Sequence, residues 1–382
     1  MPTNFSPSKT ILLLAGETSG DTLGANLVLQ LKKNKLPIEF MGMCGSQMRA
    51  AGVTQLINAD EHGIVGISAI FGKLKELYCA FKTLKKYIKK TKPALVVLID
   101  NPGFNLRMAK YAKQQGCKVL FYVSPQIWAW RYHRIKTIKK YVDHMAVLFP
   151  FEEKLYRTEK VSCSYVGHPL ARKAYSDLSV TDARKKFGLN PNQQTIGLLP
   201  GSRHQEIEYI LPTLIESTEV LLQQQPDLQF ILLKANNLSL EKITQQLPKH
   251  ITLTDHSIYD MIRACDVIIA TSGTVTFEVA LMQVPMVILY KTSKLTYWIG
   301  KRLVRIPYIG LCNVVAEKPM VKEFIQDAAT TQAIANETLA LLNDVTYRQQ
   351  VLEDLQTMRT QLGNPPAAEK TADIALSLLD SA

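Results

Sequence analysis

With 382 residues, the chain exceeds what a single hydrophobic core usually organises, and two domains are expected. Hydrophobic residues at 47% and charged residues at 20% exclude a fibrous or disordered chain, and no apolar run has the length of a signal peptide or a membrane span. The formal charge of +12 asks for an anionic partner, which is nucleic acid, a phosphorylated substrate or an acidic membrane leaflet.

Short apolar runs alternate with helical stretches along the chain. In the first half these are "ILLLA", "ALVVLI", "KVLFYV" and "HMAVLF"; in the second, "TIGLLP", "QFILLK", "DVIIA" and "MVILY". Apolar strands without polar alternation predict parallel sheets buried on both faces, so the fold class is α/β. The two sets part near "YVGHPLARKAYSD", which places a first domain at 1–168 and a second at 169–344. Each half reads as a doubly wound unit, with ligands expected in a cleft at the C-terminal strand edges. From about residue 328 the pattern is helical to the end, interrupted by "GNPPA" at 363.

The first strand runs into "AGETSGDTLGANLVLQL", where Gly16 and Gly20 permit close backbone approach and Glu17, Ser19 and Asp21 offer polar contacts. Next comes "GIVGISAIFGKLKELYCAFKTLKKYIKK", with helically spaced apolar residues and eight lysines against Glu76 alone between 73 and 92. Two roles suit it: a helix facing the core, or a segment lying on an anionic bilayer through Ile64, Val65, Ile67, Ile70, Phe71 and Leu74. In "PALVVLIDNPGFN", Asp100 closes a buried strand, either as a general base for an attacking hydroxyl or as the organiser of the turn.

The second half carries two loops suited to phosphate. "TIGLLPGSRHQEIEYILP" delivers a strand through Gly201 and Ser202, with backbone N–H groups expected to be free, to Arg203 at a helix start. A helix N-terminus presents unpaired donors, and a guanidinium can grip phosphate with two parallel hydrogen bonds; an ordinary surface arginine is the alternative. "DVIIATSGTVTFEVA" repeats the device with Ser272, Gly273 and Thr274, and places Glu278 one helical turn on, where it either accepts ribose hydroxyls or is simply solvated. Neither loop is a Walker motif, no strand leads into GxGxxG, and no DxD occurs, so a nucleotide-sugar enzyme on this frame is expected to work without a metal or other cofactor. His168 in "VGHPL" and His204 beside the arginine are within reach of the cleft, His168 reading more as a hinge residue than a catalyst. Six scattered cysteines, with no CxxC pair and no metal-ligand spacing, read as reduced, mostly buried thiols.

Taken in order, "GETSGD", "IDNPGFN", "YVSPQIWAWR", "FPFE", "VGHPL", "LLPGSRHQEI", "TSGTVTFE" and "CNVVAEKPMVKEFIQ" closely resemble the lipid-A-disaccharide synthase family across nearly the whole chain. The resemblance implies a GT-B fold whose final helices, from about 345 to 382, cross back to the first domain. It implies inverting transfer of 2,3-diacylglucosamine from UDP to 2,3-diacylglucosamine 1-phosphate (lipid X), giving a β(1→6) disaccharide. It also implies a peripheral enzyme on the cytoplasmic face of the inner membrane, with homodimers formed by C-terminal exchange known in the family.

Carried over by motif, Asp100 would be the general base and Arg203, beside Ser202, the diphosphate ligand. Ser272, Gly273, Thr274 and Glu278 would hold phosphate and ribose, Asn313 and Gln326 would close the site, and the Gly16 to Asp21 loop would face the sugars. Gly103 stands where many relatives have Asp, so a second carboxylate there is not essential, and "GLCNVV" replaces a commoner "LPN" around Asn313. The rival readings are another GT-B protein, a peptidoglycan glycosyltransferase or UDP-sugar 2-epimerase, and, outside enzymes, a basic nucleic-acid-binding protein. The last lacks a recognition motif and a stacking platform, so no nucleic-acid partner is expected.

Overall fold

The computed structural model describes residues 9–59, 70–234, 247–304 and 306–381. The chain divides into two compact units, Met1–His168 with Asn364–Ala382, and Pro169–Gly363.

In the first unit, seven parallel strands lie in the order β3-β2-β1-β4-β5-β6-β7. They are β1 (Lys9–Ala15), β2 (Ile38–Cys44), β3 (Thr54–Asn58), β4 (Leu95–Ile99), β5 (Lys118–Tyr122), β6 (His144–Val147) and β7 (Cys163–Tyr165). The run "LVVLI" of β4 is buried at every position because helices cover both faces. On one face Leu12, Leu14, Val96, Leu98 and Phe121 pack with Phe104, Met108 and Ala112 of the helix Pro102–Gln114. The helices Thr18–Lys33 and Ala367–Asp380 pack together and against the sheet.

The second unit repeats the plan with six strands in the order β10-β9-β8-β11-β12-β13. These are β8 (Thr195–Leu199), β9 (Gln229–Leu233), β10 (Ile251–Thr254), β11 (Val267–Thr271), β12 (Met286–Tyr290) and β13 (Glu323–Ile325). In both sheets the strand order reverses beside the first strand, between β1 and β4 and between β8 and β11. Loops diverge at such a point and leave a crevice at the carboxyl ends of the strands.

The returning segment starts at Asn364, later than the expected position near 345. The helix Val345–Leu362 stays with the second unit, where Arg359 donates to the Leu281 carbonyl and Arg348 Nη1 to that of Asp266 at 3.1 Å. Beyond it, the final helix is tied to the first unit by Lys9 Nζ, 2.7 Å from the Leu379 carbonyl. Gly167 has φ of +103°, and a Cβ there would stand 2.6 Å from Pro365. A glycine in "VGHP" thus makes room for the incoming "GNPPA".

The lysine-rich segment forms the helix Ile70–Thr91. Ala80, Leu84 and Ile88 are buried and Phe81 meets Phe104 edge to face, so its second half faces the core while Leu77 and Tyr78 are exposed. Ile64, Val65 and Ile67 lie outside the described residues; Ile70, Phe71 and Leu74 fall in the first turns of the helix. Among the described residues no helix is long and apolar enough to cross a membrane. Five of the six cysteines are buried, and Cys79 is exposed.

Candidate functional site

In the second unit, the loops after β8 and β11 meet at the reversal of strand order and enclose a cavity of about 310 Å³. Gly201, Ser202, Arg203 and Glu206 line it from one loop, Thr271 to Val275 and Glu278 from the other, with Leu199, Leu233 and Ile258 as apolar wall. Six of the eight expected nucleotide ligands, Arg203 among them, therefore share one crevice.

The two loops are not equivalent. The Glu206 carboxylate turns back on the helix His204–Gln224, accepting the Ser202 and Arg203 backbone N–H groups at 3.0 and 3.2 Å. The donors expected to be free are thus already capped by an internal anion. Glu206 also holds Arg203 Nη1 at 2.5 Å while the Arg203 side chain remains 79% exposed. A pair that open adds little stability; its effect is to aim the guanidinium. By contrast, the helix Thr274–Leu281 has no side-chain cap and no acidic residue in its first turn. Its positive end is therefore open to an anion, and Arg203 lines the same cavity.

Other groups complete the crevice. Ser272 Oγ donates to the Ile309 carbonyl at 2.7 Å, which fixes the turn. The buried Thr271 hydroxyl has no hydrogen-bond partner among the described residues, an omission that a polar ligand would repair. Glu278 accepts the Tyr259 hydroxyl on Oε1 at 2.9 Å, leaving Oε2 for a vicinal diol, and burial pushes its carboxyl above the usual range. Glu206, Thr271 and Tyr259 were not singled out by sequence reasoning. The Glu three residues after a predicted helix start was the legible signal for Glu206.

Two residues expected to close the site face elsewhere. Asn313 is fully buried, its amide bonded to the Val321 carbonyl, the Val321 N–H and Glu323, where it knits the helix Leu311–Ala316 to the segment before β13. Gln326 spends both amide atoms on the Thr292 backbone, at 2.7 and 2.9 Å. Neither lines the cavity.

In the first unit, Asp100 stands at the end of β4, beside the reversal of strand order. Asp100 and Asn101 both have left-handed backbones, with φ of 50° and 43°. Such strain persists only where the surroundings enforce it. Here Asn105 Nδ2 binds the carbonyls of Asp100 and Ile99 at 2.7 and 3.1 Å, and Asp100 N–H bonds to the Tyr122 carbonyl at 3.0 Å. Burial, and then the negative charge of Glu17, push the Asp100 carboxyl above its ordinary range, and the Asn101 N–H partly offsets them. A carboxylate so placed is a stronger base than one in water.

The Gly16 loop contributes in part. A Cβ on Gly16 would meet Asn101 Nδ2 at 2.6 Å, so the two loops touch at this point, and Glu17 and Ser19 are exposed. Gly20 is instead buried against Ala15 and Ile99. Asp21 turns inward as well: 2% exposed, it accepts the N–H groups of Gly45, Gln47 and Met48 and caps the helix Ser46–Ala50. His168 rests 5.0 Å from the Phe149 ring, and burial holds its imidazole down at about 4, so it is neutral at ordinary pH. Among the described residues, no cluster of three or more His, Cys, Asp or Glu side chains is poised for a metal ion.

A family model described as lipid-A-disaccharide synthetase matches residues 11–377. The lipid-A-disaccharide synthase of Coxiella burnetii is 49% identical over 374 residues, covering 98% of this chain and 100% of the relative. Among solved structures, the glycosyltransferase of kitacinnamycin superposes with a TM-score of 0.62 at 12% identity, covering 98% of this chain and 100% of that one. The UDP-GlcNAc 2-epimerase from Neisseria meningitidis, bound to UDP-GlcNAc, gives 0.61 at 13% identity with the same coverage. At such identities the likeness is one of fold, the two-sheet GT-B architecture.

Proposed function

The chain belongs to the lipid-A-disaccharide synthase family, and on that premise we propose that it transfers 2,3-diacylglucosamine from its UDP derivative to 2,3-diacylglucosamine 1-phosphate. It is a glycosyltransferase of lipid A disaccharide synthesis that uses a UDP-sugar. The observation that carries the reading is the convergence of two loops and Arg203 on one cavity at the switch point of the second sheet.

In the proposed reaction the acceptor 6-hydroxyl oxygen bonds to C1 of the donor sugar. The bond from C1 to the diphosphate oxygen breaks, UDP leaves with the electron pair, and configuration inverts. Asp100 takes the hydroxyl proton. Arg203 and the uncapped helix end at Thr274 hold the charge that develops on the diphosphate, an electrostatic role that needs no metal. Glu278, held by Tyr259, accepts the ribose hydroxyls. The lysine-rich helix and the apolar segment before it lie on the anionic cytoplasmic face of the inner membrane, where both acylated substrates reside. The segment that returns at Asn364 is the one that copies of the chain would exchange in a homodimer.

The test is an assay with UDP-2,3-diacylglucosamine and the monophosphorylated acceptor, run with a metal chelator. Disaccharide 1-phosphate and UDP are the expected products, at an undiminished rate. Arg203→Ala should abolish both turnover and UDP binding by calorimetry, and retained UDP affinity would contradict the seat. Loss of turnover under chelation would restore a metal.

A further inference from the structure

The loop after β5, "SPQIWAWRYHR", lies outside every role assigned above, yet side-chain hydrogen bonds anchor it from below. Beneath it, Ser124 Oγ and the Tyr156 hydroxyl lie 2.9 Å apart in a buried pair, and Trp128 Nε1 donates to the buried Glu152 at 3.1 Å. Above these anchors Trp130 is 37% exposed. Arg131 and Arg134 bring their guanidinium groups to 4.3 and 5.6 Å from the Trp130 ring centroid.

Two like charges on one indole repel each other. Burial, and then the charge of Arg131, lower the Arg134 pKa accordingly. Among the described residues no carboxylate pairs with either arginine; the nearby Glu159 accepts the Tyr132 hydroxyl at 2.6 Å. The cluster therefore holds two planar, pre-ordered forks with unused donors and no counter-charge, an arrangement that a phosphate monoester completes. Its place is informative too. The loop springs from β5, next to β4, and Tyr122 at its root accepts the Asp100 N–H. The cluster and the base thus belong to the same edge of the same sheet.

We propose that Trp130, Arg131 and Arg134 form the site for the anomeric phosphate of the acceptor sugar. This rests on the reading that the acceptor is a sugar 1-phosphate. The arginines select the phosphorylated acceptor, and their stacking on the indole orders them in advance, so that less side-chain entropy is lost on binding.

The experiment uses Arg131→Gln and Arg134→Gln, singly and together, each checked by thermal melt. Glucosamine 1-phosphate and glucosamine serve as soluble probes in titrations with UDP present, beside turnover of the acylated acceptor with and without its phosphate. Wild type should bind the phosphosugar and discriminate against the sugar. The double variant should lose about ten- to a hundredfold in phosphosugar affinity, the worth of one or two charged hydrogen bonds. Its preference for the phosphorylated acceptor should collapse while UDP affinity holds. Unchanged discrimination, or an equal loss with both probes, overturns the site. The same phosphate chemistry occurs in lipid headgroups, so co-sedimentation with anionic phospholipid vesicles is measured in parallel. Variants that leave the vesicles yet still discriminate between the probes would assign the arginines to the bilayer and refute the proposal. If wild type forms no disaccharide but binds glucosamine 1-phosphate through these arginines, the reaction falls and the site stands.

Discussion

A carboxylate serves as a base only while ionised, so, with Asp100 as the proposed base, its surroundings set the acid limit of the reaction. Burial and Glu17 both raise its pKa, and replacing Glu17 with Gln should lower it, moving the acid limb of the kcat/KM profile to lower pH. An unmoved limb would mean that Asp100 does not control it. Asp100→Asn should stop turnover and leave UDP binding intact. Glu152 illustrates the same physics in a structural role. Burial pushes its carboxyl up to about 7, above the unfolded value, so the folded state binds the extra proton. That contribution is fully present below the unfolded pKa and is lost as pH rises through about 7. Thermal melts should therefore fall between mildly acid and mildly alkaline buffer, and Glu152→Gln should flatten the difference. The residue types at Asp100, Arg203 and Glu278 were legible because the first ends a strand, the second opens a helix and the third lies one turn into another in the sequence pattern. The inward turns of Asp21, Asn313 and Gln326 were not, because their partners lie at Gly45, Val321 and Thr292, and spacing alone does not announce such pairings.

At the scale of elements, the strand-to-helix turns carry the residues to which the proposed chemistry is assigned. Gly201 has φ of +108°, and a Cβ there would approach Glu206 Oε2 to 2.6 Å. Gly201→Ala should cost about 1–3 kcal/mol in a denaturant melt and weaken UDP binding, since the strained turn displaces the carboxylate that aims Arg203. A variant with native melt and native UDP affinity would show that the turn is not under this constraint. With the proposed membrane role, the helix Ile70–Thr91 would divide its length between two tasks. Leu84→Ala, in the buried half, should destabilise by roughly 2–5 kcal/mol. Changing Ile67, Ile70 and Phe71 to Ser should instead move the protein from the membrane to the soluble fraction with its melt unaltered. Both expectations for this helix, core-facing and interfacial, came from one periodic pattern; only packing separates the half that meets Phe104 from the rest.

For the whole molecule, the return of the chain at Asn364 makes the first unit discontinuous. Truncation after Gly363 would remove the helix Ala367–Asp380, whose Ala372, Ala375 and Leu379 are buried, and would uncover the helix Thr18–Lys33. Limited proteolysis should then cut the first unit rapidly, while UDP protection of the second persists. Equal resistance of both units would show that the returning helix is dispensable.

What the sequence determined by itself was local and periodic: apolar runs that must be buried on two faces, the glycine and hydroxyl turns at their ends, and the family these motifs spell out. Tertiary structure alone decided the rest. Strand order brought the two phosphate-type loops to a single reversal point, packing placed Glu206 over one helix end and left the other open, and the crossing fell at Asn364 instead of near 345. Periodicity records which face of an element avoids water, whereas the partner that a polar side chain chooses depends on atoms distant in sequence and brought near only by folding.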